Sequence, residues 1–234
     1  MIAVTFALPA ESSELIRRLQ NRSQKNGLTK VVSGSLRGKN VVVLHTGVGA
    51  KISRQRIADF LKEHSPDLLI SAGFAGALTN ELNVADLLLA KNFSTPASFA
   101  KAEAALSGSP VHTGKLTTTA TMIDSFAERD ALARNTGAIA VDMETEIIAA
   151  ACAGGVIPML SLRAVTDTVR HPFPAPAHIL FDLEKQETNL AQLWFYLLKH
   201  PAALGRLAAF ARRVTRVRRS LTEALEVLIQ NDPP

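Results

Sequence analysis

The strongest constraint on this chain is a regular alternation of short apolar runs with longer amphipathic segments up to about residue 165. Short aliphatic runs predict buried β-strands, and apolar residues at helical spacing predict helices between them. Such helices have to bury their apolar sides on the sheet, which places helices on both of its faces. Runs such as residues 67–72 are almost continuously apolar, as in strands covered on both sides. The sequence therefore predicts a three-layer α/β/α sandwich with a central mixed sheet.

The same pattern gives the predicted elements their bounds. Strands are expected at residues 2–8, 41–45, 67–72, 86–90, 115–119 and 159–164, with a hairpin strand at 31–36. Helices are expected at residues 11–21, 50–63, 122–134 and 143–153. Two segments lack a clear period: residues 91–112, expected as a loop with at most one short helix, and residues 170–179, where three prolines break any helix.

Cysteine content and the apolar N-terminus bear on the cellular compartment. Cys152 is the single cysteine, so no internal disulfide can form, and its alanine-rich surroundings predict a small buried residue rather than a nucleophile. Residues 1–10 are apolar but lack basic residues, and Glu11 follows at once. That pattern favours a first buried strand over a signal peptide or a membrane span. We expect a soluble, cytoplasmic protein.

Positive charge is concentrated near the C-terminus. The formal net charge is +5, and seven basic residues with no acidic one lie between Lys199 and Arg219. The basicity therefore belongs to one segment, which argues against a nucleic-acid-binding surface. A basic amphipathic helix is expected from Pro201 to about Ile229, next to the aromatic run at Trp194. We divide the chain into a catalytic domain, residues 1–188, and a C-terminal helical extension, residues 189–234.

Two interpretations of this extension remain open. Residues 189–219 can lie on an anionic membrane surface as a peripheral contact, because arginines attract anionic lipid and aromatic side chains favour the interface. Alternatively, the helix packs on the domain or on a partner subunit and its arginines are simply solvated.

Two glycine-containing segments, residues 46–51 and 71–78, are expected to form loops after predicted strands. Glycines let the backbone approach an anion or a sugar, and a helix N-terminus favours negative charge. The first segment lacks the third glycine of the dinucleotide fingerprint. The candidates for a nucleophile or phosphate loop are Gly47, Gly49 and Lys51, and those of the second segment are Gly73 and Phe74. A plain tight turn is the alternative for the first segment, and close backbone packing without a ligand is the alternative for the second.

Asp142 and Glu144 flank Met143, where an apolar run meets a predicted helix start. A helix cap explains Asp142 well. Glu144 fits that explanation less well, because the apolar run of the helix begins only three residues later. A carboxylate between a buried strand and a buried helix can accept hydrogen bonds from two sugar hydroxyls.

Two further carboxyl groups follow predicted strands. Asp167 comes after residues 159–164, at the carboxyl edge of the sheet, where a desolvated carboxyl can keep its proton and act as an acid. A structural pair with Arg163, or a cap, is the alternative for Asp167. Glu11 follows the first strand and can face the same edge, although it can equally be an ordinary first-turn helix residue.

In order and spacing, residues 7–11, both glycine segments, residues 140–144 and residues 163–167 resemble the nucleoside phosphorylase/nucleosidase superfamily. The resemblance covers about residues 2–167 and is greatest for the branch of 5′-methylthioadenosine/S-adenosylhomocysteine nucleosidases. Within the superfamily, residues 137–144 and the basic C-terminal segment most resemble hopanoid-associated nucleoside phosphorylases, whose proposed substrate is an adenosyl lipid.

The resemblance implies cleavage of the N-glycosidic bond of a purine nucleoside by a homodimer that needs no metal or organic cofactor. It assigns Asp167 as the acid that protonates purine N7, Glu11 as the residue that orients or deprotonates an attacking water, and Glu144 with Met143 as ribose contacts. The other residues that we place around the substrate are Val141, Met122 and Ile123 near the base, with Asp142, Arg163, Gly73 and Phe74. Carboxylates near the sugar suit a transition state that resembles an oxocarbenium ion.

The sequence also departs from the family pattern. Phe74 stands where related nucleosidases have a small hydroxyl residue, and neither glycine segment contains an arginine for phosphate, which leaves Lys51. Hydrolysis and phosphorolysis, with phosphate as a co-substrate, therefore both remain open. The alternatives to an adenosyl-lipid enzyme are a salvage methylthioadenosine/adenosylhomocysteine nucleosidase and a non-catalytic nucleotide-binding protein. The joint presence of Glu11, Glu144 and Asp167 favours an enzyme.

Overall fold

The computed structural model describes residues 1–123, 125–171 and 203–231. The strands of this part are β1 (Ile2–Phe6), β2 (Gln20–Asn26), β3 (Lys30–Leu36), β4 (Lys39–His45), β5 (Leu68–Ala77), β6 (Leu87–Ala90), β7 (Val111–Gly114), β8 (Leu116–Thr118), β9 (Ala140–Asp142) and β10 (Met159–Asp167). Its α-helices are α1 (Pro9–Arg18), α2 (Ala50–Glu63), α3 (Pro96–Ala105), α4 (Phe126–Thr136), α5 (Thr145–Gly154) and α6 (Ala203–Asn231). A 3₁₀ turn covers Lys91–Phe93.

The strands form one mixed sheet in the order β2-β3-β4-β1-β5-β10-β6-β7. Its centre is parallel, since β4, β1, β5 and β10 all run the same way. Strands β3 and β6 join this centre antiparallel, and β9 pairs antiparallel with the end of β5. Parallel central strands bring their carboxyl ends to one edge, which is where α/β sheets commonly hold ligands.

Helices cover both faces of the sheet. Ile2, Val4 and Phe6 of β1 point into a core shared with α1, α3 and α6, whereas Ala3 points into a second core shared with α2 and α5. This alternation is the period of two that an extended strand imposes. The predicted three-layer architecture is confirmed.

The second glycine segment, residues 71–78, was predicted to be a loop, and that prediction is wrong. All but its last residue lie within β5, which is paired with β10 on one side and, at its end, with β9 on the other. The glycines and alanines of this segment have low β-propensity, so the sequence pattern predicted that the strand ends at residue 72. In the structure, backbone hydrogen bonds to β10 and β9 extend the strand in spite of that low propensity.

Other differences have equally local causes. Residues 91–112, expected to be mainly loop, contain the ten-residue helix α3, which starts with Pro96 in its first turn, and the start of β7. All seven residues of β2 are exposed, so the strand shows no hydrophobic period, and the predicted first helix ends at Arg18 instead of Asn21. Helix α4 begins only after Ser125, whose hydroxyl accepts a hydrogen bond from the Glu128 N–H.

Helix α6 has two unlike halves. From Val217 onward its inner side is part of the core that contains β1 and α1, with Leu221, Leu225 and Ile229 buried. Its Glu226 forms ion pairs with Arg18 of α1 at 3.2 Å and with Arg37 of the β3–β4 turn at 3.3 Å. The stretch from Gly205 to Arg216 has no fully buried residue among those whose side chains are described. The outer half is therefore held to the molecule less tightly than the inner half.

Several expectations lie outside the described residues: the boundary at residues 188/189, the aromatic run at Trp194, the helix start at Pro201, and nearly all of the 170–179 loop. In the part of the chain that is described, no helix is both long and apolar enough to span a bilayer. Cys152 is buried as predicted, and burial raises the pKa of its thiol to about 12, which makes it a poor nucleophile.

Candidate active site

A cavity of about 10 Å³ lies at the carboxyl ends of the central strands. Thr5 comes from β1, Gly73 and Phe74 from β5, Glu11 from the first turn of α1, and Glu144 from the start of α5; Arg163 of β10 also lines the cavity. The parallel sheet thus brings together residues that are far apart in the sequence.

Glu11 is buried and held by backbone N–H groups at both carboxyl oxygens. Leu8 donates to Oε2 at 2.9 Å, which also completes the start of α1, and Phe74 donates to Oε1 at 2.9 Å. A side chain at Gly73 would place its Cβ 3.1 Å from Oε1, so glycine permits this close approach. Burial raises the pKa of Glu11, and the two N–H groups partly oppose that shift. The result is a fixed carboxyl group with increased basicity.

Glu144 reaches the same cavity from the N-terminus of α5. Burial, together with the negative charges of Asp142 and Glu11, raises its pKa to about 8. The Gly49 N–H donates to its Oε1 at 3.4 Å, so the first glycine segment touches this carboxyl group. Gly47 and Gly49 both have positive φ angles, 80° and 97°, which glycine adopts without strain. Two buried carboxyl groups thus face one small space.

Arg163 is held beneath the cavity by Asp142. Its Nε donates to Asp142 Oδ2 at 2.9 Å, and its Nη1 and Nη2 donate to the carbonyl and hydroxyl oxygens of Ser71, each at 2.8 Å. Nη2 also contacts the hydroxyl of Thr145, whose N–H and hydroxyl both bond Asp142. Asp142 therefore accepts a hydrogen bond from the first N–H group of α5, as expected for a helix cap. It also neutralises the charge of the buried Arg163.

Asp167 forms an ion pair with Arg129 and not with Arg163. The structural Arg163–Asp167 pair that the sequence offered as an alternative is therefore wrong. Both side chains of the Arg129–Asp167 pair are 2% exposed. In the β5–β10 ladder Asp167 lies opposite Gly76 and Arg163 lies opposite Gly73, so Asp167 is three β5 positions further along the strand direction, roughly 10 Å away. It does not line the small cavity.

Sequence reasoning missed Arg129 and Thr5. Arg129 lies in the charged run Glu128-Arg129-Asp130, which is typical of a solvated helix face.

The remaining predicted site residues do not line the cavity. Met122, Ile123 and Met143 are half-buried, Val141 is buried against Leu78 and Ala138, and Lys51 is exposed.

Comparison with known families adds to this geometry. The family model described as the phosphorylase superfamily matches residues 1–97 and 94–199, most of the chain. The chain belongs to this superfamily. Family membership agrees with the resemblance that the sequence motifs carry.

Curated relatives of this superfamily member include 5′-methylthioadenosine/S-adenosylhomocysteine nucleosidases. The one from Shewanella halifaxensis is 28% identical over 90 residues, covering 38% of this chain and 39% of the relative, and that from Anoxybacillus flavithermus is 32% identical over 89 residues, covering 38% of each. These alignments span about two fifths of the relatives' length. A longer alignment, with the Staphylococcus aureus nucleosidase, is 26% identical and covers 82% of this chain and 96% of the relative.

Solved structures share the fold. The methylthioadenosine/adenosylhomocysteine nucleosidase from S. pneumoniae with a transition-state inhibitor superposes with a TM-score of 0.74 at 20% identity, covering 98% of both chains. The Neisseria meningitidis enzyme in complex with methylthio-immucillin-A gives 0.74 at 17% identity over 98% of both chains. A futalosine hydrolase mutant of Helicobacter pylori gives 0.64 at 17% identity, covering 71% of this chain and 87% of the other.

Proposed function

We propose that this superfamily member hydrolyses the N-glycosidic bond of an adenine nucleoside that carries a 5′ substituent. The observation that carries the proposal is the pair of buried glutamates, Glu11 and Glu144, facing one cavity at the carboxyl edge of the sheet. The curated relatives, which are nucleosidases for methylthioadenosine and adenosylhomocysteine, support the substrate class.

Water is the proposed nucleophile. The space of about 10 Å³ between Glu11 and Glu144 is enough for about one water molecule. Arg163 already has partners at all three guanidinium nitrogens, the Gly49 N–H is directed at Glu144, and Lys51 is exposed, so the obvious phosphate ligands are engaged or distant. The buried hydroxyl of Thr5 lacks a hydrogen-bond partner among the described residues, and a water molecule would provide one.

The proposed reaction follows from these positions. Glu11 takes a proton from the water as its oxygen attacks C1′, and the C1′–N9 bond breaks with its electrons passing to the base. Asp167 donates a proton to purine N7, which makes the base a neutral leaving group. Glu144 binds the ribose hydroxyls through hydrogen bonds. The products are adenine and a free 5′-substituted ribose, and no cofactor takes part.

The narrower candidate for the 5′ substituent is a lipid, as in adenosylhopane. An exposed stripe on α6, made of Arg212, Arg216 and Arg219 at helical spacing, supports it, because an enzyme for a bilayer-bound nucleoside has to dock on anionic lipid. The apolar side of the inner half of α6 faces the protein core, so the proposed contact is electrostatic and peripheral. Soluble methylthioadenosine or adenosylhomocysteine is the competing substrate.

The second proposed partner is another copy of this chain, in a homodimer. Its support is the resemblance to the nucleosidase branch. Size-exclusion chromatography with light scattering tests it directly: a mass near 50 kDa is expected from a 25.1 kDa chain, and a mass near 25 kDa would contradict a dimer.

One assay panel tests the proposed function. Purified protein is incubated with adenosine, inosine, methylthioadenosine and a 5′-alkylated adenosine, each with and without phosphate. We expect adenine and a free ribose sugar, at rates that do not depend on phosphate. A ribose 1-phosphate product would overturn the choice of water as nucleophile. Absence of base release from every substrate would favour a non-catalytic nucleotide-binding protein.

A further inference from the structure

We propose that Arg129 is a positioning residue that holds the proton donor Asp167 and the predicted base-contacting segment in one arrangement. The inference rests on the proposed function, because it assigns Asp167 the proton transfer to the purine. It adds a residue from α4 that the sequence motifs do not include.

The guanidinium of Arg129 joins three separate segments of the chain. Its Nη2 pairs with Asp167 Oδ2 at the end of β10, its Nη1 donates to the carbonyl oxygen of Ala77 at 2.8 Å at the end of β5, and its Nε donates to the carbonyl oxygen of Ile123 at 3.1 Å. Met122 and Ile123 are the residues expected beside the base. The two sides of the proposed purine site are therefore linked through one buried side chain.

The surroundings of Asp167 leave little freedom for its carboxyl group. The Thr166 hydroxyl donates to Oδ1 at 2.8 Å, while Arg129 occupies Oδ2. A Cβ at Gly76 would lie 2.9 Å from Asp167 Oδ2 and 3.3 Å from Arg129 Nη1. Glycine at that position lets the ion pair lie directly against β5. The ion pair is thus buried between the ends of β5 and β10 and is not a surface contact.

This placement has a chemical consequence. In the ligand-free protein Asp167 is the anionic partner of Arg129, so the proton that it gives to N7 enters from solvent as the nucleoside binds. When this proton passes to N7, negative charge returns to the carboxyl group, and the fixed guanidinium in contact stabilises that charge without reorganising. The base keeps the proton, and Asp167 is again the ion-paired carboxylate after the products leave. Arg129 acts through Asp167 and touches neither the substrate nor the scissile bond.

A double-mutant cycle tests the proposal, with kcat and KM measured for the adenine nucleoside that the wild type cleaves fastest. Arg129→Met is expected to lower kcat at least about 10²-fold, the scale of general acid catalysis, with a smaller change in KM. In an Asp167→Asn background the same substitution should cause no further loss, because the two residues act as one unit. Arg129→Lys, which keeps the charge, should retain more activity than Arg129→Met.

The matched control is Arg134→Met, which removes an arginine that is 72% exposed on the same helix and should leave kcat unchanged. Retention of wild-type kcat by Arg129→Met, or losses that multiply in the double variant, would overturn the proposal. If Arg129→Met does not fold, Arg129→Lys is measured in both backgrounds, and equal losses overturn it. A wild type inactive on every nucleoside would contradict the proposed function itself, whereas an active wild type with Arg129 variants that behave like the control contradicts only this assignment.

Discussion

At the scale of residues, Glu11 and Glu144 affect each other because their buried carboxyl groups face the same cavity. The charge of Glu11 is one cause of the raised pKa of Glu144, after burial and Asp142. Near pH 7 the ligand-free protein therefore keeps a proton on Glu144, while the unfolded chain does not. That difference makes the stability of the fold depend on pH.

The sign of this dependence can be tested with Glu144→Gln. A carboxyl group whose pKa is raised from 4.5 to about 8 on folding contributes stability at low pH that is lost as pH rises through 8. The free energy of unfolding of the variant relative to wild type should therefore increase between pH 5 and pH 9, by on the order of 3 kcal/mol. Urea unfolding at several pH values measures it. Glu146→Gln, at an exposed position, should follow wild type, and a difference that does not vary with pH would contradict the expectation.

Glu11→Gln separates chemistry from binding. The amide keeps the shape of the side chain and can still accept from the Phe74 N–H, but it cannot take a proton from water. We expect a decrease in kcat of at least about 10²-fold, with little change in the affinity for an unreactive nucleoside analogue. Rate assays and calorimetry measure the two effects. Equal loss of affinity and rate would indicate that Glu11 is structural.

The sequence placed Glu11 and Asp167 correctly at the carboxyl edge, because they follow or end apolar strands of the parallel centre, which share that edge. Glu144 was expected between a strand and a helix, and it reaches the same edge after β9, which runs antiparallel to β5. It could not indicate Arg129, whose burial depends on contacts with the ends of β5 and β10, strands distant in the sequence. The predicted partner of Asp167, Arg163, was wrong for the same reason. Local patterns show which residues follow a strand, but not which side chains meet there.

At the scale of elements, the inner and outer halves of α6 should differ in their contribution to stability. Leu225→Ala removes a fully buried side chain from the main core and is expected to lower the free energy of unfolding by about 2–5 kcal/mol. Leu207→Ala, on the half-buried outer part of the same helix, should cost less than about 1 kcal/mol. Denaturant unfolding of the two variants compares them. Equal costs would mean that both halves are packed alike.

The outer half supplies a test of membrane contact. Wild type is expected to sediment with vesicles that contain anionic lipid at low salt and to be released as salt rises, since the attraction is screened beyond about 10 Å at 0.1 M salt. Each arginine near the surface contributes about 1 kcal/mol. Reversing the exposed stripe with Arg212→Glu, Arg216→Glu and Arg219→Glu should abolish sedimentation.

The control for this experiment carries the same change in charge on another surface. Its substitutions lie on the exposed β2–β3 hairpin: Arg22→Glu, Lys25→Glu and Lys30→Glu. This variant should bind vesicles nearly as wild type does. If both triple variants bind equally well, or if wild type never binds, the stripe on α6 is not a membrane contact and the lipid substrate loses its physical support.

At the scale of the whole molecule, the alternation of strands and helices predicted the layers, because each amphipathic helix needs one sheet face. The order of the strands could not be read from the same pattern. Strand β2 has no buried residue, and β9 is three residues long and held by β5 and β8. Such elements depend on tertiary pairing, which a local sequence pattern does not contain.

The place of α6 in the chain has a consequence for how the protein is made. Its inner half completes the core around β1 and α1, which precede it by about 200 residues in the sequence, and α1 carries Glu11. A nascent chain that does not yet include this helix leaves an apolar side of its first strand and helix uncovered. The proposed base is therefore fixed in place only after α6 has been synthesised, and products truncated before α6 should neither reach the native fold nor consume nucleosides.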